Sequence, residues 1–447
     1  MNSPGVNPGP APVGPAPRIP RPGDSPQRPL PRLRALLVKP ALWMFLVLAV
    51  VGGWRIGLIL NRAFVNYPLA ATVAVVLFVL YAVPFVILLR AIDYLEREPI
   101  VLQAVAVAWG GLVATSAAIS ASSAMVDVLA KAVSPEYATQ WGPAVVAAGV
   151  EEILKVLGVV TIALIARGRI NSVVDGFFFG ALTGLGFQVV EDIVFAVNAV
   201  AVQAGDDRVG PVVVTFFLRG FLGGLWSHTL FTGLAGAGFA YALIRRDRPM
   251  FIRAAVFAAL LGAAWGFHFL WNSPVLADGF GYGVPGVIAV MLLKGLPALA
   301  VGVTLVVAAE RREADYYAAM LAGLADHKVA TPEEIAALVS PRKRVAERRV
   351  ARLRLGWAGA RAVRRLQLAQ ARLAVAVSRD PSAEVLRRRL DVLARRHQLL
   401  ALSLAAGPLP RRRLTALSTP AMFALQLVLV CLLVVGVGLA IRALGGT

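Results

Sequence analysis

Residues 143–166 read PAVVAAGVEEILKVLGVVTIALIA. The length of this stretch suits a helix crossing a bilayer, since roughly 20 apolar residues at 1.5 Å each span a hydrocarbon core of about 30 Å. Yet Glu151, Glu152 and Lys155 lie within it, and ionisable groups in lipid are costly enough to mark a functional site by default. Other long apolar blocks flank it, at 41–60, 69–89, 100–125, 173–200, 213–243, 251–272, 284–309 and 419–443. The expected fold is therefore all-α, a polytopic transmembrane helix bundle of about nine spans with a cytoplasmic helical segment. The block 213–243 is too long for one span and contains Arg219. It reads as a lead-in segment and a span from about residue 220, with Arg219 snorkelling to the interface.

Composition supports this reading. Hydrophobic residues make up 58% of the 447 and charged residues 16%, with a mean hydropathy of +0.72, whereas a soluble domain is about 25% charged. The formal net charge of +20 invites a nucleic-acid partner until its location is considered. Residues 1–40 carry six Lys/Arg against one acid, and 310–418 carry 23 against 10, so +5 and +13 supply 18 of the 20 charges. Both segments, and the Arg-bearing loops 90–99, 167–172 and 244–250, fall on one side of the expected bundle. By the positive-inside rule that side is cytoplasmic, which places the N-terminus inside and the C-terminus outside.

The expected organisation has four parts. Residues 1–40, with 12 of the 28 prolines, form a disordered cytoplasmic tail. An eight-span bundle follows over 41–309, then a basic helical segment over 310–418, then a ninth span within 419–447. The tail is not a secretory signal, because its apolar stretch begins only near residue 41. Helix-start signals stand at Thr331-Pro332-Glu333-Glu334 and Asp380-Pro381-Ser382. Arginines interleaved with leucine, alanine and valine make 310–418 an amphipathic surface suited to anionic lipid. Trp357 is the only aromatic between 318 and 418, so the aromatic platforms of single-strand nucleic-acid binders are absent and no nucleic acid is expected. The single cysteine, Cys431, excludes an internal disulfide framework and a Cys-rich metal site.

The charges left in the apolar blocks are few and informative. Glu151-Glu152-Ile153-Leu154-Lys155 lies in the fourth block, Phe187-Gln188-Val189-Val190-Glu191-Asp192 in the fifth, Trp226-Ser227-His228 in the sixth and His268-Phe269-Leu270-Trp271-Asn272 in the seventh. Glu151 and Lys155 are one helical turn apart, as are His268 and Asn272. Counting inward from the outer ends puts Glu151 and His228 roughly 12 Å deep, Glu191 roughly 13 Å and His268 roughly 6 Å. This is the layout of one shared, water-filled site. Two carboxylates and two imidazoles could activate water, a carboxylate serving as base and a histidine as donor, with Asn272 offering a neutral donor to an oxyanion. No cofactor is required by the sequence, and HExxH is absent. The same groups, with Glu191, His228 and His268 as candidate ligands, could instead hold a divalent ion such as zinc. An ion- or proton-coupled transporter is the alternative from another class, although no internal inverted repeat is evident.

Taken in order, these motifs resemble those of the PrsW-type intramembrane proteases, a group related to the CAAX prenyl endopeptidases and bacteriocin-processing enzymes. The likeness covers about 100–310. It implies an endopeptidase of a bacterial-type cytoplasmic membrane that cleaves a membrane-bound regulatory protein such as an anti-sigma factor. It further implies Glu151 as the water-activating base with Glu152 supporting it, His228 and His268 as acid or ligand groups, and Asn272 near the oxyanion. Lys155, Phe187 and Asp192 would support them. Where the prenyl endopeptidases have FxxxH, this chain has Phe187 followed by Glu191, so a carboxylate replaces one histidine role.

Overall fold

The computed structural model describes residues 37–405, apart from 94–96, 167, 204–205, 224–226 and 380–381. Most of the expected N-terminal tail, the expected ninth span and Cys431 lie outside the described residues. Everything described is helical or connecting loop. In chain order the helices are α1 (Pro40–Asn66), α2 (Pro68–Ile92), α3 (Ile100–Ala132), α4 (135–165), α5 (Val173–Gln203), α6 (210–222), α7 (His228–Ile244), α8 (Met250–Asn272) and α9 (Gly283–Ala322). Three more follow, α10 (Pro332–Val339), α11 (Pro341–Arg379) and α12 (Ser382–Ala405). Proline opens α1, α2, α4 and α10, where its fixed φ suits the first turn and its missing N–H is not needed. α1 and α2 are separated by Tyr67 alone, because the residue before Pro68 is driven out of helical geometry.

Among the described residues six helices are long and apolar enough to cross a membrane: α1, α2, α3, α5, α8 and α9. Nine were expected; the ninth lies outside the described residues, and the fourth and sixth differ for physical reasons. The fourth block lies in α4, whose Glu151, Glu152 and Lys155 make it too charged to qualify. The sixth block does not form one span from residue 220. It breaks into α6 and the 17-residue α7, which at 1.5 Å per residue is only about 26 Å long. The six carry apolar side chains outward, among them Val50, Trp54, Leu80 and Ile87, as a lipid-facing surface requires.

Helix α5 runs through the centre, and every residue from Val174 to Gln188 is buried. A helix apolar on all sides must be enclosed on all sides, and here small residues let the neighbours close in. Gly176, Gly180 and Gly184, spaced four apart, form a stripe against α7. A Cβ on them would run into the backbone of Gly236, Thr232 and His228 respectively. On another face a Cβ on Gly186 would strike the Val107 carbonyl of α3. Such small-residue contact replaces the hydrophobic driving force that lipid cannot supply. Three π turns interrupt the bundle helices, Trp109–Ala114 in α3, Pro143–Ala147 in α4 and Phe216–Leu222 at the end of α6.

Helix α9 has 40 residues, about 60 Å at helical rise, twice the hydrocarbon thickness. Its last turns leave the bundle core: Tyr317 and Leu321 join Val329, Leu338, Leu366, Leu373 and Val392 in a second core with α10, α11 and α12. The expected start at Thr331 is present as a capping box with Glu334. Within α11, Gly356 has φ 65° and Arg352 stacks 3.6 Å from the Trp357 ring centre.

Where α2, α5 and α9 meet α11, a cavity of about 520 Å³ is lined by Asp93, Asp175, Glu310, Glu313 and Arg344. Asp93 follows the last residue of α2, is buried, and accepts the Glu98 amide at 3.0 Å. Burial pushes its carboxyl up to about 8; the Glu98 amide, Arg97 and Arg90 oppose the rise and Asp175 adds to it.

Two measurements test this architecture. Gly184→Ala should lower the thermal midpoint in detergent, an overpacking cost of about 1–3 kcal/mol, whereas Gly262→Ala, whose Cβ would meet open space, should not. Equal midpoints would remove the α5–α7 contact from this account. For Asp93, the folded protein retains a proton that the unfolded chain, whose aspartate titrates at the ordinary value of 3.8, has released. Stability contributed by the neutral form is therefore complete below about pH 4 and declines as pH rises through about 8. Asp93→Asn should show a shallower fall of midpoint over that window, and identical slopes would refute the assignment.

Candidate metal centre and its supporting carboxylates

Four helices deliver the cluster. α4 brings the adjacent Glu151 and Glu152 and, one turn on, Lys155; α5 brings Phe187, Glu191 and Asp192, α7 opens on His228, and α8 carries His268. The Gly184 contact sets α5 against the His228 backbone, which brings Glu191 within reach of the imidazole. His228 Nε2 lies 2.9 Å from Glu191 Oε2, and His228 Nδ1 lies 2.9 Å from Lys155 Nζ. An ammonium can only donate, so Nδ1 accepts and Nε2–H donates to Glu191. His268 Nδ1 lies 3.0 Å from Glu152 Oε1 and donates to it, which leaves Nε2 as the acceptor nitrogen. That Nε2 is 3.7 Å from Glu151 Oε2, and His228 Nδ1 is 3.9 Å from the same oxygen.

Glu151 and Glu152 are adjacent but differently employed. Glu152 is 1% exposed and fully occupied, by Lys155 at 2.7 Å, His268 at 3.0 Å and the Thr232 hydroxyl at 3.2 Å. Glu151 is 6% exposed, its Oε2 accepts no hydrogen bond, and Lys155 Nζ stands 3.5 Å away. A buried carboxylate oxygen without a donor is a costly arrangement and the natural place for a cation or a water. Aromatic rings wall the cluster: Phe187 lies 5.1 Å from the His228 ring and Phe231 stacks 5.5 Å from His268.

A divalent ion fits this donor set. Glu151, His228 and His268 each present a ligand atom, all within 4.8 Å of one another. Tetrahedral zinc with bonds of about 2.0–2.1 Å sets its ligands about 3.4 Å apart, so the 3.7 and 3.9 Å separations from Glu151 Oε2 contract by a few tenths of an ångström, and the two histidine nitrogens, within 4.8 Å, close by about 1.4 Å at most. Each imidazole has its distal N–H on a carboxylate, the support expected of metal-binding histidines. Charge agrees: Glu151, Glu152, Glu191 and Asp192 face Lys155 and Arg219, four negatives against two positives. With neutral histidines two negative charges remain, which a divalent cation offsets. His228 Nδ1 has one lone pair, which here accepts from Lys155 Nζ at 2.9 Å, so the ammonium must yield that nitrogen for an ion to be held.

The expected residues therefore separate. Glu151, Glu152, Lys155, Glu191, His228 and His268 converge, and His268 is as deep in the cluster as the others. The three-atom group contains Glu151; Glu191 instead receives His228 Nε2–H and Arg219. Asn272 points elsewhere, donating to the Pro143 carbonyl at 3.1 Å, where it ties the end of α8 to the π turn of α4. Asp192 pairs with Arg219 at 2.7 Å. Arg219, expected to snorkel to the lipid interface, keeps a 31% exposed side chain and lays its guanidinium across two adjacent carboxylates, which need a cation in a low-dielectric bundle. Its presence inside an apolar block was the available signal. Lys294, inside the block 284–309, carried the same signal and was passed over; its ammonium donates to the Ser273 carbonyl at the end of α8 at 2.8 Å. Thr232 gave no such signal.

Residues 98–301 match the family model described as PrsW family intramembrane metalloprotease. No curated protein and no solved structure matches the chain.

Purified full chain should bind one Zn²⁺ or Co²⁺, lost in His228→Ala and His268→Ala and retained in Asn272→Ala. Metal analysis after dialysis measures this; undiminished ion in both histidine variants would place the ion elsewhere.

Proposed function

We propose that this chain, whose residues 98–301 match the PrsW family intramembrane metalloprotease model, uses Glu151 to activate water for hydrolysis of a peptide bond in a membrane-embedded protein. The observation that carries the proposal is Glu151 Oε2, buried, without a hydrogen-bond donor, and faced by the acceptor nitrogens of His228 and His268. Glu151, His228 and His268 would hold the ion. Bound there, a divalent ion supplies Lewis acidity toward a carbonyl and lowers the pKa of water.

The chain's own groups do the rest. A carboxylate has two oxygens and about four lone-pair sites, so Glu151 can face the ion and also accept the proton of an attacking water. Glu152, saturated by Lys155, His268 and Thr232, orients His268 and takes no proton from water. Lys155, wholly buried between both glutamates, fixes their spacing and supplies positive charge beside the point where an oxyanion develops. Phe187 and Phe231 limit access of bulk water. The Asn272 contact with Pro143 supports a role in holding α8 to α4 more than one at the oxyanion.

The substrate class follows from depth: a peptide bond must enter lipid to reach this site, which favours a membrane-bound regulatory protein such as an anti-sigma factor. The domain division, with the N-terminus and the basic segment 310–418 at the cytoplasmic face, carries over from the charge distribution. Trp357, 61% exposed and stacked on Arg352, supports contact of that segment with anionic lipid.

Reconstitution with a single-span reporter protein in liposomes tests the proposal. Parent protein should cleave it, Glu151→Gln should lose activity by at least about 10²-fold, as removal of a general base entails, and Asn272→Ala should lose far less. Metal or proton flux without cleavage in the parent would replace this reading with the transporter.

A further inference from the structure

We infer that Arg219 is a positioning residue for the metal group, acting through Glu191 on the ring of His228. The inference rests on the reading that Glu151, His228 and His268 hold the ion.

Arg219 lies on the π turn Phe216–Leu222, away from the four helices that deliver the cluster. Its guanidinium is held on three sides. Nη2 donates to Glu191 Oε2 at 2.6 Å, Nε donates to Asp192 Oδ1 at 2.7 Å, and the carbon between them sits 3.9 Å from the Phe195 ring centre. A planar fork across two neighbouring carboxylates fixes both, which a single point charge does not do.

Glu191 Oε2 is also the atom that accepts from His228 Nε2 at 2.9 Å. One oxygen therefore takes both donors. Arg219 determines where that oxygen is, and the oxygen determines which way the imidazole faces. With Nε2–H held outward, Nδ1 turns toward Lys155 and Glu151, into the candidate ion position. Rotation of Glu191 would release the ring and turn Nδ1 away. Asp192 secures the other arm of the fork, and its second oxygen, buried, finds no hydrogen bond of its own, so its placement serves the arginine.

A plain structural tie between α6 and α5 would use the same contacts, and the test must separate the two roles. The chain has four histidines; His327 and His397 are exposed in the 310–405 region and serve as internal references. Full-length protein labelled with ¹⁵N-histidine is compared with Arg219→Lys, which keeps the charge but cannot fork, and with Arg219→Gln. Without added metal, both variants should shift the His228 ring nitrogens while His327 and His397 stay fixed. Co²⁺ titration should then show affinity weakened 10–100-fold, the usual cost of losing outer support to a ligand, with a changed visible absorption spectrum. Arg219→Lys should lose less than Arg219→Gln, and it decides the matter alone if Arg219→Gln does not fold. Variants with parental His228 signals and parental Co²⁺ affinity would overturn the inference. A parent that binds no Co²⁺ would remove the metal reading, while the His228 signals would still report on Arg219.

Discussion

Lys155 has no exposure at all, and its ammonium reaches Glu152 at 2.7 Å, His228 at 2.9 Å and Glu151 at 3.5 Å, with the Phe187 ring centre at 4.3 Å. The rest of the site depends on this buried cation. Away from water, adjacent glutamates on one helix repel each other, and two imidazoles could turn in either sense. A single ammonium among them sets the spacing of the carboxylates and the donor sense of His228. Removing one member of such a buried set leaves an uncompensated charge, at about 3–5 kcal/mol. The composition of the cluster is therefore more constrained than that of an exposed one.

The cluster can form only if the helices approach closely enough. The stripe Gly176, Gly180 and Gly184 lets the α5 backbone lie against α7, and the last of these contacts is with the His228 carbonyl itself. The packing motif and the site thus share a residue. Asn272 on Pro143 and Lys294 on Ser273 secure the end of α8, the helix of His268. Arg219 does the same for the carboxylates of α5. Polar side chains in this bundle fall into two groups, those that face the candidate ion position and those that hold the helices bearing them.

Much of this was legible in the chain. Apolar block length gave the helical membrane architecture, because hydrocarbon thickness fixes how many residues a span needs. Intramembrane Glu151, Glu152, Glu191, His228 and His268 were visible because lipid penalises such residues unless they are used. The span count was less legible. Hydropathy does not register that the block 213–243 breaks before His228, since local apolarity is blind to where a helix stops.

By itself, then, the sequence determined the all-helical membrane class, the asymmetry of its positive charge and the residue types available for chemistry, all consequences of transfer energies that act on each segment locally. Only the tertiary structure decided which atoms meet. It assigned Glu151 to the three-atom group and Glu191 to the support of His228. It also laid Arg219 across Glu191 and Asp192 and turned Asn272 toward Pro143. Those outcomes depend on the rotation and approach of helices far apart in the chain, set by backbone contact at a few glycines and by the demand that each buried charge find a partner.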